Sequence, residues 1–298
     1  MVEDTFLGLP AGTDGDIALL GIPYGVPYPD PGLTAGCADA PAAVRARSRR
    51  LARFVGSHDF DLDGPMLPAG STFRVVDAGD VAGSPDDGPG NAARAELAVR
   101  GLLDAGAVPI LLGGDDSIPI PALRAYPSGP IHVLQVDAHL DFRHEVDGIR
   151  DGYSSPMRRA SELSQVGGIT QVGLRGIGSA SSSDVADALA AGNVLITATD
   201  VRRNGAAWVV DQLPKGSPLF IAFDVDGLDP AVAPAVSGMS PGGLSYDEAV
   251  ELISGAARHC RLVGAAFTEF VPGLDVNDRT ALVIVRLIMN LIGSVARG

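Results

Sequence analysis

An apolar run, Val133 to Val136, leads straight into Asp137, His139 and Asp141 within the stretch VLQVDAHLD, residues 133–141. Such a run reads as a strand buried on both faces. On an extended backbone residues two apart share a face, so two carboxylates and an imidazole are expected to meet at one point. The stretch LFIAFDVDGLD, residues 219–229, repeats the design with Asp224 and Asp226. Aspartate after a single strand is ordinary turn punctuation. Two buried strands that each end in carboxylates two apart predict more: strand ends that converge on a cation.

The remaining chain alternates in the same way. Strands are predicted at DIALLGIP, FRVVDAGDV, AVPILLGG, 131–137, 169–174, 193–197, 218–224 and RLVGAAFTEF. Helical segments follow them at AAVRARSRRLARF, about 91–105, from Ile118, 156–163, Ser245–His259 and from Thr280. No linker or short repeat interrupts the pattern. It predicts one α/β domain over residues 1–298, with a mainly parallel sheet of eight strands between two layers of helices. Ligands of such sheets collect at the carboxyl ends of strands, where these acidic turns lie. The run TALVIVRLIMNLIGSVA is broken by Arg286 and Asn290 and falls short of the ~20 apolar residues that span a bilayer. A buried helix is expected there, and no membrane span.

A net charge of −14 argues against nucleic-acid or anionic-membrane partners and favours cationic ligands. Two cysteines, Cys37 and Cys260, and no signal-like N-terminus lead us to expect a reducing, cytoplasmic setting without disulfides.

Seven segments together carry a family resemblance: GIPYG at 21, DAGDV at 77–81, LLGGDDS at 111–117, VDAHLDF at 136–142, SPMRRA at 155–160, FDVDGLDPAVAP at 223–234 and TEFVPGLD at 268–275. The chain resembles the ureohydrolases, the arginase and agmatinase family, and within it the agmatinase-like guanidino-compound hydrolases. The resemblance implies a three-layer arginase-like fold. It further implies hydrolysis of a small cationic guanidino compound to urea and an amine, and a homo-oligomer, trimeric or hexameric. It also implies two divalent metal ions, Mn²⁺ first, held by Asp137, His139, Asp141, Asp224 and Asp226, with Glu269 pairing with the guanidinium. Hard oxygens with one imidazole suit that metal.

Two departures stand out. Asp116 occupies the place of the family's sixth ligand, a histidine, and Asp151 the place of the histidine thought to shuttle protons. Each replacement is a carboxylate, which can both ligate and transfer protons. The added negative charge weakens the cluster as a Lewis acid, so Ni²⁺, or one ion instead of two, is the alternative. His144 is the second candidate for the proton shuttle. Ser155, Arg158 and Arg159 are candidates for substrate contact, the arginines for a substrate carboxylate, and Asp80 and Asp115 for orienting ligands. Two rival functions follow: a non-catalytic or partner-subunit paralogue that binds a guanidino ligand, and a hydrolase of a formimino or other amidine compound.

Overall fold

The computed structural model describes residues 4–177 and 180–298. Its eight strands are β1 (Ile17–Ile22), β2 (Val75–Asp80), β3 (Val108–Gly113), β4 (Ile131–Val136), β5 (Val166–Leu174), β6 (Val194–Thr197), β7 (Pro218–Asp224) and β8 (Arg261–Thr268). They form one sheet in the order β2-β1-β3-β8-β7-β4-β5-β6, and every pairing is parallel. The helices are α1 (Ala40–Ser48), α2 (Gly88–Asp104), α3 (Pro119–Arg124), α4 (Pro156–Ser161), α5 (Ser182–Ala190), α6 (Ala198–Asn204), α7 (Ala206–Val210), α8 (Tyr246–His259) and α9 (Arg279–Ala296).

Strand alternation sorts the core into two layers. Leu19, Ile110, Leu134, Ile221 and Phe223 point to one face, where they pack with residues of α1, α8 and α9. Leu20, Leu111, Val133 and Phe220 point to the other, against α2, α3 and α4. Both faces are covered, which is why the strands read as continuous apolar runs. α9 is long and apolar enough to cross a membrane, but 67% of it is buried here and its Arg286 is bound to Asp59 and Asp61.

The helix expected through residue 54 stops earlier, at Ser48, and Ala52–Phe54 form a separate 3-10 turn. The Ser48 hydroxyl donates back to the Arg45 carbonyl and accepts the Leu7 N–H, a tertiary contact that fixes the helix end. The acidic turn after β2 is structural as well. Asp77, fully buried, takes two bonds from Arg45 at 2.8 and 2.9 Å, and Asp80 binds the same guanidinium. Asp80 therefore belongs to an ion-pair cluster rather than to a ligand shell, contrary to the expectation.

Candidate metal centre

Four adjacent central strands, β3, β8, β7 and β4, deliver the predicted side chains. Asp116 follows β3, Asp137, His139 and Asp141 follow β4, Asp224 ends β7, Asp226 lies in the 3-10 turn after it, and Glu269 follows β8. Two triads form: Asp137, His139 and Asp226, and Asp116, Asp137 and Asp141, each offering ligand atoms within 4.8 Å of one another. Asp137 is common to both. Asp116, His139, Asp141 and Asp226 of these triads line a cavity of about 150 Å³ together with Asp224, Ser237, Gly238, Tyr153, Ser154 and Glu269, and Asp137 lies buried behind it.

Convergence is reached by a different route from the one expected. β4 ends at Val136, so the 137–141 segment is not extended strand. Instead the Asp137 carboxylate accepts the His139 N–H at 2.5 Å, and Asp224 accepts the Asp226 N–H at 2.7 Å. Each leading aspartate thus folds its own loop so that the second side chain returns to the same point. Asp226 also accepts the Ala138 N–H at 3.1 Å, which ties the two loops together. Asp141 and Glu269 both hold left-handed backbone, φ 46° and 64°. Non-glycine residues adopt it at a cost, commonly where a site demands a side-chain direction. Gly238 is required by proximity: a Cβ there would lie 2.8 Å from both the Asp226 carboxylate and the His139 ring.

The electrostatics favour protons or bound cations within the cluster. Asp116, Asp137 and Asp224 are pushed well above the usual carboxylate range, first by burial and then by one another's charge and that of their acidic neighbours. Burial opposes charging of His139, but its bonds to Asp137 and Asp226 outweigh that and push it up to about 11. Its Nδ1 faces the Asp226 carboxylate at 3.0 Å. One Asp116 oxygen accepts the Thr268 hydroxyl at 2.5 Å, while the other is buried with no hydrogen-bond partner among the described residues. An orphaned buried carboxylate oxygen among clustered acids is what a bound cation would satisfy. Oxygen donors with a single imidazole fit hard or borderline divalent ions.

Glu269 is buried at the cavity wall. It accepts the Asp116 N–H at 2.9 Å and the Ser237 hydroxyl. Burial raises it to about 8, with the charges of Asp115 and Asp226 adding to the rise and the Ser237 and Asp116 bonds opposing it.

Several expected participants lie elsewhere. Asp151 is ion-paired to Arg124 at 2.7 Å, and His144 is exposed. Arg158 binds Asp187 at 2.8 Å and lies over the Phe142 ring, and Arg159 is buried against Glu162 and the carbonyls of His144 and Arg150. Ser155 is fully buried at the start of α4. None of these five lines the cavity. Asp115 binds Ser117, whose hydroxyl accepts the Val26 N–H at 2.7 Å, so it anchors the 24–28 loop rather than a ligand. Conversely, Tyr153, Ser154 and Ser237, which carry no motif signal, line the site. Behind the lining, Arg175 donates to the carbonyls of Asp226, Gly227 and Leu228 and pins the turn after β7.

The cluster gives the metal-free protein a pH dependence of definite sign. A carboxyl whose folded pKa exceeds its unfolded value, near ~3.9, favours folding when protonated and loses that contribution as pH rises through the folded value. His139 acts in the same sense: its contribution is complete below the ordinary 6.5 and is lost as pH climbs towards about 11. Chelated protein is therefore expected to melt at lower temperature as pH rises from about 6 to about 9. Added divalent metal should raise the Tm more at the upper end. Scanning calorimetry with and without chelator checks this, and a flat or rising Tm of the chelated protein would contradict it.

The Arginase family model matches residues 15–293. The chain is 31% identical to guanidinopropionase of Pseudomonas aeruginosa, over 97% of this chain and 90% of that protein. It is 28% identical to the mitochondrial agmatinase of Gallus gallus, over 97% and 84% respectively. Its fold is similar to that of Trypanosoma cruzi formiminoglutamase solved with Mn²⁺, with a TM-score of 0.80 and 25% identity over 98% of each chain. Arginase-family enzymes use a binuclear metal site, and the two triads sharing Asp137 are where this chain would hold one. The buried acidic cluster, the strand ends that build it and the match over nearly the whole chain lead to one conclusion: this protein belongs to the arginase family.

Proposed function

We propose that the protein hydrolyses the C–N bond of a small guanidino compound, releasing urea and an amine. The observation that carries this reading is Glu269, a buried carboxylate on the wall of a cavity also lined by Asp116, His139, Asp141, Asp224 and Asp226. Two divalent ions, Mn²⁺ first, would be held by Asp116, Asp137, His139, Asp141, Asp224 and Asp226, and when bound would supply an attacking water of lowered pKa. Glu269 accepts two parallel N–H bonds from the planar guanidinium, fixing the carbon for attack. The water oxygen bonds to that carbon, the bond to the alkyl nitrogen breaks, and both water protons finish on the leaving amine. With Asp151 paired to Arg124 and His144 exposed, these protons pass through the lining carboxylates.

The cavity also speaks to the tail of the substrate. Among the described residues its lining contains no arginine or lysine, because Arg158 and Arg159 are committed elsewhere. A carboxylate on the substrate finds no arginine or lysine there to pair with, whereas a neutral or aminoalkyl tail needs none. Agmatine is therefore expected to exceed guanidinobutyrate and guanidinopropionate, and L-arginine to be poor. Urea release from this panel by the Mn²⁺-loaded protein tests the ranking. Arginine as best substrate would overturn it. Formamide released from a formimino compound, with no urea from the panel, would favour the amidine hydrolases instead.

A further inference from the structure

Three amide side chains run through the sheet to the shared ligand. Gln135 on β4 and Gln171 on β5 are partners in register, on the face otherwise packed with Val133 and Ile169. Asn193 lies just before β6. All three are buried, at 1%, 0% and 6% exposure. Asn193 Nδ2 donates to Gln171 Oε1 at 2.8 Å, Gln171 Nε2 donates to Gln135 Oε1 at 2.6 Å, and Gln135 Nε2 donates to Asp137 Oδ2 at 2.6 Å. Gln171 Nε2 also donates to the Leu140 carbonyl at 2.7 Å.

The direction of this chain is fixed. The Leu140 carbonyl can only accept, so the Gln171 amide must turn its NH₂ towards it and towards Gln135. Gln135 then presents oxygen to Gln171 and its NH₂ to the Asp137 carboxylate. One end of the relay thus grips Asp137, and its middle grips Leu140, next to Asp141. Apolar side chains would fill the same sheet positions without the cost of burying amides. The fold alone does not call for them.

We propose that Gln135, Gln171 and Asn193 are positioning residues. They hold the 137–141 loop in its ligand geometry and keep Asp137, the residue common to both triads, turned towards the metals. This rests on the metal-centre reading above. The relay leaves Asp137 Oδ1, which also takes the His139 N–H, on the side of the His139 imidazole.

Titration of metal-free protein with Mn²⁺ by calorimetry, alongside the thermal melting of each metal-free variant, tests the proposal. Gln135→Met is expected to weaken binding of at least one ion by about 10- to 100-fold, the usual consequence of losing a ligand's outer hydrogen bond. Asn193→Asp, isosteric and remote from the cavity, replaces the donor at the start of the relay. It should weaken binding in the same direction by a smaller factor, and it carries the test if Gln135→Met does not fold. A purely structural role would lower the melting temperature of the metal-free variants and leave Mn²⁺ affinity unchanged. Folded variants with wild-type affinity therefore overturn the relay alone. Wild-type protein that binds no divalent ion overturns the metal centre itself, and shows this before any variant is examined.

Discussion

Glu269→Gln is expected to lower kcat/KM for a guanidinium substrate by about 10²- to 10³-fold, with metal content unchanged. Removing one partner of a buried, hydrogen-bonded charge pair costs about 2–5 kcal/mol, and each ~1.4 kcal/mol is tenfold. The Cys37 thiol, which donates weakly to Oε2 at 3.9 Å, loses that acceptor, but the amide is isosteric and keeps the two stronger contacts. Its oxygen can accept the Asp116 N–H, and the Ser237 hydroxyl can rotate to accept from its NH₂. The loss therefore reads out as guanidinium recognition rather than as collapse of the wall. Steady-state kinetics with elemental analysis of the same preparation checks it, and a change below threefold would remove Glu269 from substrate binding.

A larger effect is expected at the ligands. Because Asp137 belongs to both triads, Asp137→Ala should lose both ions and all measurable turnover. Asp116 belongs to one, so Asp116→Ala should lose one ion and keep the other. The unpartnered Asp116 oxygen gives the second expectation its force: alanine at that position removes a buried carboxyl oxygen that finds no hydrogen-bond partner among the described residues. Metal-free Asp116→Ala should accordingly be at least as stable as the metal-free parent. Mass-spectrometric metal counts separate the two variants, and equal stoichiometry in both would dissolve the distinction between a shared and an unshared ligand.

The strands and the acidic strand ends were legible because both signals are local. Buried parallel strands must be apolar throughout, and Asp137, His139, Asp141, Asp224 and Asp226 follow them directly in sequence. The reason for their convergence was not legible. It lies in side-chain bonds from Asp137 and Asp224 to the backbone two residues on, not in alternation along extended strand.

Asp151, His144, Ser155, Arg158 and Arg159 lie outside the cavity lining because their directions are set by partners distant in sequence or by the local fold of α4. Arg124 takes Asp151, and Asp187 takes Arg158. Ser237 sits in a loop whose composition says only that it turns, and its bond to Glu269 exists only once β8 lies beside β7. A signal for Gln135 and Gln171 was present: an amide at an inward position of an otherwise apolar strand is costly unless it is bonded. What it bonded to required the register of β4 against β5.

The most direct measurement is urea release from agmatine by the Mn²⁺-loaded protein, followed before chelation, after chelation and after Mn²⁺ is restored. The expected result is stoichiometric urea and putrescine that stop with the chelator and resume with the metal. No urea from agmatine or from any other guanidino compound of the panel, by protein shown to carry two Mn²⁺ ions per chain, would contradict guanidino hydrolysis at this site.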